Sequence, residues 1–289
     1  MPIANDLKNI AKLFLPPIIV QSLARLRSPN PKNYMLEYAP NAWELTRAPD
    51  AAQTDGWNAE SVAETERVKW QAFCRNLEGS GPLGFTHEHP DLDVTRYVPF
   101  HNIHMSYAYV LALTAHHKDE ISVLDWGGAL GHYYQIGKAV LPEVQIEFHC
   151  KEVPKLVEAG RQLNPNVHWY ADESCLTRSY DLVMINSSLQ YSPDWQAILR
   201  RLAACAAQYV FLTRLPVVEN SPSFTARQRV YGSEMIFLAL NQAEVLQVAA
   251  NAGLKLLREV VVGDRPYVHG APEQCELRGW LFKRVSGSN

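Results

Sequence analysis

From residue 59 onward, helical stretches of mixed polarity alternate with short apolar runs. Residues 59–78 carry Val62, Trp70 and Phe73 at helical spacing, and residues 101–117 carry Met105, Tyr109 and Leu113 along one face. Ile121, Val123 and Leu124 then supply a buried strand, and His132 opens a helix that Pro142 stops. Residues 144–153 read as a second strand, 167–170 as a third, 180–186 as a fourth and 209–214 as a fifth. A sixth falls at 254–262 and a seventh at 277–285, with helical patterns at 195–207 and 242–252. Strands alternating with helices imply a parallel sheet covered on both faces. The last two strands have no helix between them, which fits an antiparallel closing pair. The predicted organisation is an α/β domain at 118–289 preceded by a helical and irregular extension at 1–117. Within that extension, residues 28–58 read as an irregular connector whose aromatics Tyr34, Tyr38, Trp43 and Trp57 need a surface to pack on. Residues 79–99 read as loop, and no internal repeat is evident.

The junction after the first strand carries the chemistry. Val123-Leu124-Asp125-Trp126-Gly127-Gly128-Ala129-Leu130-Gly131 is a strand, an acid, a glycine-rich turn and a helix start. Dinucleotide-binding loops place glycine directly after the strand, because the pyrophosphate sits on the helix N-terminus. Here Asp125 precedes the glycines. It would repel a pyrophosphate and suits a ligand bearing positive charge. A glycine-rich turn alone is equally compatible with a structural tight turn. Glu152 follows at the end of the second strand, 21 residues after Gly131. An acid about 20 residues beyond such a loop can accept hydrogen bonds from both ribose hydroxyls. The alternative is a solvated glutamate capping the helix that Pro154 begins.

The order D-x-G-G-x-x-G resembles the first motif of the class I S-adenosylmethionine (SAM)-dependent methyltransferases, acid-x-G-x-G-x-G, with the middle glycine displaced and Ala129 in its place. The seven-strand plan resembles that family's Rossmann-like sheet. The chain also resembles a bacterial family of methyltransferases encoded among surface-polysaccharide (O-antigen or capsule) biosynthesis genes. The marks of that resemblance are Leu13-Phe14-Leu15-Pro16-Pro17, the Asp125–Gly131 loop, residues 152–160, Ser188-Leu189-Gln190-Tyr191 and Thr213-Arg214-Leu215-Pro216. It implies SAM as cofactor and methylation of a glycan or its precursor. The candidate cofactor contacts are Asp125, Trp126, Gly127, Gly128 and Gly131, then Glu152 and Val153, then Asp172 and Glu173, then Asn186 and Gln190. In this fold N-terminal helices cover the cofactor and shape the acceptor pocket, so residues 59–117 are expected there.

Composition narrows the partners. Hydrophobic residues make up 47% and charged residues 20% of the 289, which fits a globular chain. A net charge of −3 argues against general nucleic-acid binding, which needs a basic surface. The five cysteines form no C-x-x-C pair and read as reduced thiols of a cytoplasmic protein, with Cys150 and Cys205 in apolar runs. No stretch is long enough to cross a membrane. Residues 5–27 hold Leu7, Ile10, Phe14 and Leu15 on one face, with Lys8, Lys12, Arg25 and Arg27 nearby. The segment is broken by prolines and does not read as a signal peptide. It is either an amphipathic contact with the inner membrane surface or a helix packed on the domain or on another subunit. The sequence leaves the oligomeric state open.

Methyl transfer to a hydroxyl needs alignment and a base to take the proton. Histidine suits that role because its pKa lies near working pH. His101 and His104 share a helical face before the first strand, and His132 follows Gly131. Each is a candidate base, and the plainer reading of each is a surface or core histidine. Tyr191 is a candidate for orienting the acceptor. Arg214, with Arg227 and Arg229 beyond it, suggests an anionic acceptor, because guanidinium forks bind phosphate and carboxylate. Ordinary surface ion pairs are the plain alternative. His87-Glu88-His89 with Asp91 and Asp93 resembles a ligand cluster, but such loops are usually only solvated, and no metal is expected. Two other functions remain: a noncatalytic SAM-binding scaffold of a glycan-assembly complex, and a nicotinamide-dependent oxidoreductase, which the position of Asp125 disfavours.

Overall fold

A computed structural model describes residues 35–46, 55–83 and 97–285. The segment at 5–27, the Leu13–Pro17 run and the His87–Asp93 cluster lie outside them. The described elements are β1 (Met35–Tyr38), α1 (Ala42–Thr46), α2 (Glu60–Asn76), α3 (Val98–Thr114), β2 (Glu120–Trp126), α4 (His132–Val140), β3 (Gln145–Lys151) and α5 (Pro154–Leu163). They continue with β4 (His168–Tyr170), β5 (Tyr180–Asn186), α6 (Trp195–Cys205), β6 (Ala206–Val218), β7 (Phe224–Val230), β8 (Ser233–Asn241), α7 (Gln242–Asn251), β9 (Leu254–Val261) and β10 (Glu276–Arg284).

The central sheet runs β4-β3-β2-β5-β6-β10-β9. The first five strands are parallel, while β10 is antiparallel to both of its neighbours. This is the seven-stranded Rossmann-like sheet expected from the sequence. Strand order reverses beside β2, which lies between β3 and β5, and in such sheets the crevice at that switch point is where ligands bind. One face is covered by α2, α3, α4 and α5 around Tyr107, Phe148 and Ile136. The other is covered by α6 and α7 around Leu199, Val245 and Trp280. Among the described residues no helix is long and apolar enough to cross a membrane.

Three strands were not foreseen. β6 was expected to end at Arg214 but runs on to Val218, where its last two residues pair with β8. β8 pairs with β7 and β7 with β1, adding an antiparallel extension at one end of the sheet. The connector at 28–58 therefore includes a strand, Met35–Tyr38. The β7–β8 turn is Tyr231-Gly232, both at positive φ (54° and 71°), the geometry of a two-residue hairpin. Its tip reaches α2 and the turn before it: Ser233 Oγ donates to the Gly56 carbonyl at 2.8 Å, and Lys69 Nζ lies 4.2 Å from the centre of the Tyr231 ring.

Candidate active site

The turn after β2 is held by close packing. Gly127, Ala129 and Gly131 have φ of 78°, 50° and 76°, and Gly131 is the N-cap of α4. A Cβ at Gly127 would lie 2.3 Å from Ser188 Cβ. A Cβ at Gly128 would lie 2.4 Å from Asp125 Oδ2 and 2.7 Å from Cys150 Sγ. The displaced glycine thus has a physical reason. Gly128 lets the loop lie directly over Asp125, while Ala129 takes the left-handed turn position at a cost of about 1–2 kcal/mol. Asn164, not foreseen, braces the loop: its Nδ2 donates to the carbonyl of Gly131 at 3.1 Å. Ser188 Oγ donates to the Trp126 carbonyl at 2.5 Å, tying the loop to the end of β5.

Asp125 sits at the end of β2 ahead of the glycines, and it is completely buried. Among the described residues neither carboxylate oxygen has a hydrogen-bond partner. Burial, reinforced by the nearby Glu152 carboxylate, pushes its pKa up to about 8. The Tyr107 hydroxyl, also without a partner among the described residues, and the Cys150 thiol are both pushed up by burial and then by Asp125. Glu152 follows β3 and is half-buried. Its oxygens accept from the Ala129 amide at 3.2 Å and the Val153 amide at 2.6 Å. Glu152 therefore joins the glycine loop to the start of α5 while keeping lone pairs for a ligand.

The remaining cofactor candidates divide. Asn186 Oδ1 and Gln190 Oε1 are buried without partners among the described residues, as is Thr213 Oγ1, which sequence reasoning missed. Asn186 ends β5, and its register partner Thr213 lies within β6, beside Arg214. Asp125 and these three side chains put unpaired acceptor atoms at the C-terminal ends of β2 and β5 and at the neighbouring bulge of β6. The Trp126 ring is buried under Lys151, whose Nζ lies 4.8 Å from its centre. Val153 is the N-cap residue of α5. Asp172 caps its own turn, accepting from the Ser174 amide at 3.0 Å and from its hydroxyl at 2.5 Å. Glu173 pairs with Arg201 at 2.5 Å and is turned to that use.

The acceptor candidates form one cluster and two outliers. The Arg214 guanidinium lies 4.8 Å from the centre of the Phe100 ring at the start of α3, and the same ring is 6.1 Å from His104. His104 is buried, and its Nδ1–H donates to the Leu83 carbonyl at 2.6 Å, leaving Nε2 as the acceptor nitrogen. Burial lowers the His104 pKa to about 4, with the Arg214 charge adding to that and the Leu83 bond opposing it. His101, one turn earlier, is half-exposed. Arg214 has φ 54° and sits in a bulge: Arg278 and Trp280 of β10 pair with Leu215 and Leu212, so Thr213 and Arg214 together oppose Gly279. Bulges re-aim side chains beside active sites, and this one turns Arg214 toward α3. His132 is an outlier, packed against Trp70 and Phe73 with Nε2 3.8 Å from Glu66 Oε2. Tyr191 is the other: its hydroxyl donates to Gln228 Oε1 at 2.7 Å and its ring packs edge-on to Trp57. Arg227 and Arg229 pair with Glu234.

No family model and no curated protein matches the chain. Solved structures do. A magnesium protoporphyrin IX methyltransferase from Synechocystis with bound SAM is 14% identical over 76% of this chain and 97% of its own, with a TM-score of 0.45. A 1,6-didemethyltoxoflavin-N1-methyltransferase from Burkholderia thailandensis is 15% identical over 86% and 95%, at 0.43. An O-methyltransferase family protein from the same organism is 15% identical over 78% and 71%, at 0.43.

Proposed function

We propose that the chain is a SAM-dependent O-methyltransferase whose acceptor is an anionic, hydroxyl-bearing intermediate of surface-glycan assembly on the cytoplasmic side of the membrane. A sugar nucleotide, a phosphorylated glycan and a uronic acid all fit that description. One observation carries the cofactor reading. At the switch point of the sheet, a glycine loop lies across a buried carboxylate with no cationic partner among the described residues, amid other unpaired acceptors. Buried acceptors without donors are costly, about 1–3 kcal/mol each. A ligand rich in donors and carrying positive charge supplies what they lack. SAM has an ammonium, a sulfonium, ribose hydroxyls and an adenine amino group, so the donor set fits.

Asp125 and the loop Trp126–Gly131 would hold the methionine part. Glu152 and Val153 would hold the ribose, Asp172 the adenine edge, and Asn186 and Gln190 the space between cofactor and acceptor. When bound, the cofactor supplies a methyl group on a carbon already activated by its sulfonium. The chain's own residues do the rest. His104 is kept neutral, with Nε2 as the basic nitrogen, so it is ready to accept a hydroxyl proton at any ordinary pH. A pKa near 4 makes it a weak base. An anionic acceptor seated on Arg214 would offset that charge and raise His104 toward its normal value. Acceptor charge and base strength are thereby linked.

The test is acceptor-dependent release of S-adenosylhomocysteine (SAH) across a panel of sugar nucleotides and phosphorylated glycans. Turnover by wild type that Arg214→Ala reduces mainly through acceptor KM supports the reading. Turnover confined to neutral acceptors, or unaffected by Arg214→Ala, overturns the anionic assignment.

A further inference from the structure

A second cluster lies on the face of β3 opposite Cys150. His149 on β3 and His168 on β4 are register partners, and Glu147 is two residues earlier on the His149 face. We propose that Glu147, His149 and His168 form a site for a divalent transition-metal ion of the zinc class at the β4 edge of the sheet.

One donor atom from each of the three residues lies within 4.8 Å of the other two. Glu147 Oε1 and His149 Nε2 are already 3.0 Å apart, close to the separation of two ligands each about 2.1 Å from a shared ion. His149 is fully buried, and its Nδ1 lies 2.9 Å from the Tyr170 hydroxyl. Without metal, His149 Nε2–H donates to Glu147 and Tyr170 O–H donates to Nδ1. With metal, the ion takes the place of the Nε2 proton, the ring proton moves to Nδ1, and Nδ1–H donates to the Tyr170 oxygen. The imidazole stays neutral and no net proton is lost. A hydrogen-bond partner on the far ring nitrogen is the usual support for a ligating histidine.

His168 is exposed and its ring stacks on His149 at 4.6 Å, so it must turn about its side-chain torsions to aim a nitrogen inward. β4 is the last strand on this side, which leaves a position for water. Two imidazoles and one carboxylate suit zinc, cobalt or nickel better than magnesium or calcium. The Arg178 guanidinium now sits 2.8 Å from Glu147 Oε1, with half its side chain in solvent. It is a resident competitor that an ion must displace.

The experiment is a titration of the full chain with Zn2+ against a chromophoric chelator, with Mg2+ as control. One Zn2+ per chain should bind in the micromolar range, and Mg2+ should not. His168→Ala and Glu147→Gln should each weaken binding by at least about tenfold, whereas Arg178→Ala should tighten it. A merely structural cluster gives no such opposite response. His87→Ala with His89→Ala should change nothing. Absence of saturable micromolar binding overturns the proposal. So does binding that survives both His168→Ala and Glu147→Gln, or that is lost with His87 and His89.

Discussion

Replacing Asp125 by asparagine should make the protein more stable and a poorer binder. The folded-state pKa is about 8 against an ordinary 3.8. Between these values the folded state keeps a proton that the unfolded state has released. The unfolded state therefore binds fewer protons, and stability falls as pH rises through the window. Each pH unit inside it costs about 1.4 kcal/mol, so the accumulated cost at pH 7 is about 4 kcal/mol. The asparagine side chain does not titrate and escapes it. Its extra buried N–H returns about 1–2 kcal/mol, leaving a net gain of about 2–3 kcal/mol at pH 7. Urea unfolding of both proteins at pH 5, 6, 7 and 8 measures this. The difference should grow by about 1.4 kcal/mol per unit from pH 5 to 7 and level off above 8. In the same variant SAH affinity should fall at least about tenfold, the loss expected when a charged hydrogen bond is removed. Wild-type binding at pH 7 should release a proton, seen as an enthalpy that depends on the buffer's ionisation heat. A stability difference that is flat with pH, or a less stable variant at pH 7, would refute the reasoning.

Three further changes test other parts of the structure. Gly128→Ala sets a methyl 2.4 Å from Asp125 Oδ2 and should abolish SAH binding in calorimetry while the far-UV spectrum is kept. Gly160→Ala sets one 2.4 Å from the buried Trp169 ring. Overpacking of about 1–3 kcal/mol should exceed the helix-propensity gain of about 1, and a raised unfolding midpoint would refute that. Arg214→Ala should leave SAH affinity within about twofold, because the side chain lies over the Phe100 ring of α3; a large loss would place Arg214 at the cofactor.

The sequence made the central sheet legible because β2, β3, β5 and β6 each hold buried apolar residues followed by a polar or charged one, Asp125, Lys151, Asn186 and Thr213. Asp125, Glu152 and the glycines could be read from their spacing along one stretch of chain. What escaped depends on contacts between distant segments. β7 alternates visibly from Phe224 to Val230, and a Tyr-Gly turn then leads into the apolar run Met235–Leu240, so attention to that period of two and the turn would have found the hairpin. β1 could not be read from its four residues, because it is a strand only where β7 offers an edge. The Thr213–Arg214 bulge needs Gly279, far along the chain, where a Cβ would lie 2.9 Å from Thr213 Oγ1. His132 was suspected from its position beside Gly131, yet Trp70 and Phe73 of α2 claim it. Asp125 stood out in the sequence as the acid before the glycines, but its complete burial follows only from the way Gly128 folds over it.

The central claim is that the glycine loop and the acids after β2 and β3 bind SAM. Calorimetric titration of the wild-type chain and Glu152→Ala with SAH tests it most directly. The account predicts saturable one-to-one binding by wild type that Glu152→Ala weakens at least about tenfold, through the lost ribose acceptor and the untethered Ala129 amide. Folded wild-type protein that binds no SAH, or a Glu152→Ala variant that binds as tightly as wild type, would contradict it.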